Sequence, residues 1–132
     1  IKYWNVSNIT DMEELFYNFK NWNFDISGWQ VSQVTNMRGM FKGCSNFNQP
    51  LNNWDVSNVE TMEDMFYNCK KFNQPLDDWD VNNIKNMAYM FEGCDNFSQS
   101  LNSWIISRNC KTYYMFEDCN LDKEFYPKNY KL

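Results

Sequence analysis

Apolar residues recur along this chain in columns of constant phase. Trp4, Trp29, Trp54, Trp79 and Trp104 fall 25 residues apart with no insertion between them. Ile1, Ile26, Leu51, Leu76 and Leu101 share that phase. So do Val6, Val31, Val56, Val81 and Ile106, and then Ile9, Val34, Val59 and Ile84. Met12, Met37, Met62 and Met87 lead into Leu15, Met40, Met65, Met90 and Met115, and these into Phe16, Phe41, Phe66, Phe91 and Phe116. Phe19, Cys44, Cys69, Cys94 and Cys119 follow, and Trp22, Phe47, Phe72 and Phe97 close the unit. A fixed period of this kind marks stacked repeats, in which each unit buries its apolar face only against its neighbours. The units run 1–25, 26–50, 51–75, 76–100 and 101–125.

Within each unit the period changes halfway. Trp54-x-Val56 is a two-step alternation, which predicts a short half-buried strand. Val59, Met62, Met65, Phe66 and Cys69 are then spaced 3, 3, 1 and 3, which predicts one face of a short helix. Ser57, Asn58 and Thr61 stand where caps for its first turn belong. Glu13, Glu14, Glu60, Glu63 and Asp64 stand where a helix dipole favours acids. Gly43 and Gly93 stand where the helix would end, and Asn48-Gln49-Pro50 and Asn73-Gln74-Pro75 read as return loops.

The expected fold is therefore an α/β solenoid like a leucine-rich repeat, with short parallel strands on one side and short helices on the other. The pattern L-x-x-W-x-V-x-x-V fits that class, although Val59 stands where the motif normally has Asn. Ile105, Asn109, Thr112 and Ser100 depart from their columns, and Leu121 to Leu132 leaves the phase. Residues 101–132 are thus expected to be a degenerate last repeat plus C-terminal cap. The N-terminal end shows no equivalent cap, so the expectation there is a missing upstream part or a docking face.

The stretch W-D-V-S-N-V-x-x-M-x-x-M-F-x-x-C-x-x-F-N-Q-P, Trp54 to Pro75, resembles the BspA-like leucine-rich-repeat surface-protein family, over residues 1 to about 125. The resemblance implies a cell-surface, extracellular or virion- or particle-associated repeat module used in adhesion or host contact. It brings no catalytic residues with it.

Composition narrows the chemistry. Over 132 residues, 12 Lys and Arg face 17 Asp and Glu, a net charge of −5, which argues against a nucleic acid or an anionic membrane as partner. No apolar run is long enough to insert in a membrane. The absence of His removes the commonest general base and metal ligand. Ser7, Ser32, Ser57 and Ser107 recur without a base, and Gly occurs only four times, with no phosphate loop. Asp55 and Asp80, and the adjacent Asp77 and Asp78, lack calcium-loop spacing and read as turn residues. No enzyme, no cofactor and no metal is expected.

Cys44, Cys69, Cys94 and Cys119 read as a buried structural column. Equivalent positions on neighbouring helices would lie roughly 8–10 Å apart, beyond the reach of a disulfide. Two surfaces remain as candidate binding sites. One is the polar strand face, in the columns Asn5, Gln30, Asp55, Asp80 and Ser7, Ser32, Ser57, Asn82. The other is the tyrosines on the helix side, Tyr17, Tyr67, Tyr89 and Tyr114, of a type favoured at interfaces. The expected function is a non-enzymatic module that binds a protein or a glycan. The alternative is a structural building block that self-associates through the N-terminal end.

Overall fold

The computed structural model describes residues 1–131. The 25-residue period is real in space, but the α/β assignment is overturned. Among the described residues there is no α-helix, and the one helical element is the single 3-10 turn Lys123–Phe125. Extended pairing is confined to isolated parallel bridges, Asp11 to Asn36 to Thr61 to Asn86 to Lys111. These bridges lie in the half of each unit that was expected to be helical, and no strand forms in the other half.

Each unit is a coil made of turns. In the third coil the N–H groups of Trp54, Val59, Met65, Tyr67, Cys69 and Phe72 donate three residues back, to the carbonyls of Leu51, Val56, Met62, Asp64, Phe66 and Cys69. A helix would send the N–H of Phe66 to Met62; instead it crosses to Met90 of the next coil at 2.9 Å. The spacing 3, 3, 1, 3 serves a run of three-residue turns as well as it serves a helix, because both return a side chain to the same face about every third residue. The backbone decides between them. Glu14, Gly39, Asp64, Tyr89 and Tyr114 occupy one column, Asn18, Gly43, Asn68, Gly93 and Asp118 another, and all take positive φ, between 53° and 77°. A helix cannot continue through two left-handed residues per unit. Gly43 and Gly93 thus belong to the turn run rather than to a helix end.

The alternation at Trp54-x-Val56 does bury both apolar residues and expose Asp55. Yet turns on either side keep the segment too short for a ladder, and side chains bind the coils together there. The indole N–H of Trp29, Trp54, Trp79 and Trp104 donates to the carbonyls of Ile1, Ile26, Leu51 and Leu76 at 2.8–3.2 Å. Asn58 and Asn83 donate to Ser32 and Ser57, so an Asn ladder exists one residue before Val59. Asn23, Asn48 and Asn73 accept from the backbone N–H one coil on, at Asn48, Asn73 and Ser98.

The core is an aromatic and methionine spine. Phe16, Phe41, Phe66, Phe91 and Phe116 stack face to face at 5.6–5.9 Å, and Phe47, Phe72 and Phe97 form a parallel file. Burial is complete in the central coils, with Met62, Met65, Phe66 and Cys69 at zero exposure. It fails in the first coil, where Ile1, Trp4, Ile9, Leu15 and Phe19 are exposed although their columns are buried elsewhere. Among the described residues no further coil covers them. At the other end Leu121 is buried, Tyr126 stacks on Phe116 at 4.2 Å, and Asn129 exchanges hydrogen bonds with Ile106.

Candidate functional site

The polar columns of the non-ladder face are exposed or half-buried, and in three of the coils one side-chain oxygen is committed locally. Asn5 Oδ1 accepts from the N–H and hydroxyl of Ser7, and Asp55 Oδ1 accepts likewise from Ser57. Asp80 Oδ1 accepts from the N–H of Asn82. These are Asx turns that shape the backbone. The two bonds from Ser57 hold the Asp55 carboxyl below the usual carboxylate range. Gln30 and Ser32 line an open hollow with Asp55, and Asp80 and Asn82 line another of about 440 Å³ with Ser103 and Ile105. Asp77 and Asp78 both accept from Asn52. Among the described residues no group of three acidic or sulfur ligands converges as a metal site would require.

The face expected to carry helices carries the turn ladder instead, so its acids serve no helix dipole. They pair across coils: Arg38 reaches Glu14 at 3.2 Å and Glu63 at 3.3 Å, Lys42 reaches Asp64 at 3.3 Å, and Lys85 reaches Glu60 at 2.8 Å. Thr61 accepts from the N–H of Glu63 rather than capping a helix. Tyr17 is exposed and lines a small hollow with Arg38 and Lys42, while Tyr67 is half-buried beneath the Lys42 ammonium, 4.7 Å from its ring.

Tyr89 and Tyr114 do come together. Their rings stack at 5.4 Å, and Tyr113 meets both edge-on, at 5.7 and 6.4 Å. Tyr113 is half exposed and Tyr114 more than half, at 50% and 58%. Partial desolvation and the neighbouring phenols raise the Tyr89 pKa. Sequence reasoning missed Tyr113 because its column, Glu13, Arg38, Glu63 and Ala88, holds no other aromatic; the Tyr113-Tyr114 doublet was the available signal.

Cys44, Cys69 and Cys94 are fully buried, and Cys110 and Cys119 half-buried. The expectation that helix spacing keeps them apart falls with the helices, since coils joined by backbone hydrogen bonds lie only about 5 Å apart. Each buried thiol instead donates to a carbonyl of the preceding coil, Phe16, Phe41 or Phe66, at 2.9–3.0 Å. Burial pushes the Cys44 thiol up to about 12, and those of Cys69 and Cys94 well above their usual range.

Geometry alone thus defines a repeat protein of stacked, turn-built coils with a polar face, an aromatic cluster and one uncovered end. The family described as "Mycoplasma protein of unknown function, DUF285" matches residues 1–104 and, overlapping, 51–126. The chain belongs to the DUF285 family. No curated protein and no solved structure matches it.

Proposed function

We propose that this chain is a non-enzymatic interaction module of a surface- or particle-associated repeat protein of the BspA-like kind, and that it contacts a protein partner through Tyr89, Tyr113 and Tyr114. The observation that carries this reading is where the tyrosines sit. Tyr89 and Tyr114 hold positive φ, 62° and 56°, in a column that elsewhere uses Gly39 or acids. Every coil holds a left-handed residue in this column, so the φ belongs to the fold. What singles out Tyr89 and Tyr114 is a pair of large aromatics at a position that supplies nothing to the core, Tyr114 exposed and Tyr89 half-buried. Clustered Tyr edges and hydroxyls provide contact area at low entropic cost.

The test is adhesion of beads displaying the chain to a cultured cell layer, compared with the combined Tyr89→Asn, Tyr113→Ser and Tyr114→Asn variant. Asn tolerates the left-handed backbone, so the melting temperature should not fall. Adhesion should drop about ten-fold or more, and protease treatment of the layer should abolish it. Equal adhesion by the variant overturns the reading; loss after glycosidase but not protease moves the partner to a glycan.

A second reading, a building block of a larger assembly, is favoured by the uncovered first coil. Trp4 is 59% and Phe24 62% exposed, beside Ile1 and Tyr3. Concentration-dependent sedimentation that Trp4→Gln abolishes would favour it over the first reading.

A further inference from the structure

We propose that the C-terminal end of the stack holds an oxyanion site, in the hollow between Arg108, Thr112 and Lys131, that takes a phosphate or sulfate group. The hollow measures about 220 Å³; Ser107, Cys110, Tyr130, Ile106 and Asn129, whose amide is bonded to the Ile106 backbone, form the rest of its wall. Two cations line it, and among the described residues no carboxylate does. Neither Arg108 nor Lys131 is in an ion pair among the described residues, a state they share with most of the chain's cations, so both charges are available to a ligand.

The backbone adds donors to this end. In every earlier coil, four N–H groups of the ladder half point to the coil that follows. Met87, Tyr89, Phe91 and Gly93 donate to Lys111, Tyr113, Met115 and Glu117, as Met62, Asp64, Phe66 and Asn68 do to Asn86, Ala88, Met90 and Glu92. In the fifth coil the equivalent N–H groups belong to Thr112, Tyr114, Phe116 and Asp118, and none has an acceptor among the described residues. Thr112 both lines the hollow and heads this donor row. These N–H groups sit on alternate residues and form an open ladder edge; Thr112 and then Tyr114 stand at its end nearest the hollow, while Glu117 and Asp118 lie at the other end.

The sequence departs from its own repeat at the same place. Asn8, Gln33, Asn58 and Asn83 give way to Arg108, and Met12, Met37, Met62 and Met87 give way to Thr112. Shielding a core end needs polarity, which any amide or hydroxyl supplies. A guanidinium adds the planar fork that matches an oxyanion. The Cys110 thiol, pushed up to about 11 by burial, stays protonated at neutral pH and places no negative charge in the wall. This inference stands apart from the tyrosine reading, because it requires no partner protein.

Amide-resolved NMR of the full chain, titrated with sodium sulfate and sodium phosphate against sodium chloride at matched ionic strength, tests it. The Thr112 and Tyr114 amides should shift and saturate with the oxyanions only. Arg108→Gln, an exposed change, should weaken saturation about ten-fold or more, while Lys85→Gln should leave it unchanged. Shifts that chloride reproduces, that fail to saturate, or that Arg108→Gln does not alter overturn the site. In a second arm, a sulfated or phosphorylated oligomer that saturates the same amides at lower concentration than the free ion identifies a group carried on a larger ligand. Equal affinity identifies the free ion, and either result supports the site.

Discussion

At the residue scale, one poorly solvated side chain is that of Glu92, half-buried outside the apolar core. Its Oε2 is buried and finds no hydrogen-bond partner. Burial first, and then Asp118, Glu117 and Asp64, raise its carboxyl above the usual range. A raised folded-state pKa means that the native protein holds this proton more tightly than the unfolded chain does. The associated stability is present below the ordinary carboxylate pKa and is lost as pH rises through the raised one. Glu92→Gln should therefore stabilise the protein at neutral pH, by a few tenths to about 1 kcal/mol. In urea denaturation the gain should vanish near about pH 3, where Glu itself is neutral. Gly93, at φ 74°, makes the opposite case. A Cβ there would meet the Asn68 side chain and force a left-handed backbone on an L-residue. Gly93→Ala should lower stability by about 1–2 kcal/mol. In a double-mutant cycle with Asn68→Gly, which also relaxes the left-handed backbone at 68, the coupling between the two changes should report the clash alone.

At the scale of the single coil, the sequence shows what is buried better than it shows how the backbone buries it. The Trp, Met, Phe and Cys columns were legible because a side chain's solvent preference depends on the face it lies on, and that face repeats without error. Whether Val59 to Cys69 was a helix or a run of turns was not legible from apolar spacing, since both present every third or fourth residue inward. The discriminating signal lay in the polar columns. Asn18, Gly43, Asn68, Gly93 and Asp118 are the residue types that tolerate a left-handed backbone, and they recur one residue before the segment's last core column, inside the expected helix rather than past its end. Of the candidate sites, Tyr89 and Tyr114 were legible as a column, whereas Tyr113 has no aromatic counterpart in its own. The hollow beside Arg108 arises where columns break off, so no periodicity could show it. Core columns still carry the stability of the coil. Trp54→Ala and Phe66→Ala should each cost about 3–5 kcal/mol, and Gln30→Ala close to nothing; chemical denaturation that found Trp54→Ala as stable as the parent would contradict the stacked spine.

At the scale of the whole molecule, the buried thiols act together. Cys44, Cys69 and Cys94 titrate above the usual thiol range because burial disfavours the thiolate, while the unfolded chain ionises them near the ordinary value of 9.0. Their contribution is intact below that value and declines as pH rises from 9.0 toward about 12, so the melting temperature should fall across that window. Replacing all three with Ala should flatten that decline while lowering stability at neutral pH. The ladder has a mechanical consequence as well. Its hydrogen bonds run along the stack, and each coil is held only by the coil on either side. A pull applied to the two ends therefore meets these bonds lengthwise, a few at a time, instead of shearing them all at once. Under an optical trap the protein should pay out in steps of one coil, each releasing roughly 80–90 Å of chain. It should behave as a shock absorber between whatever its ends are tethered to.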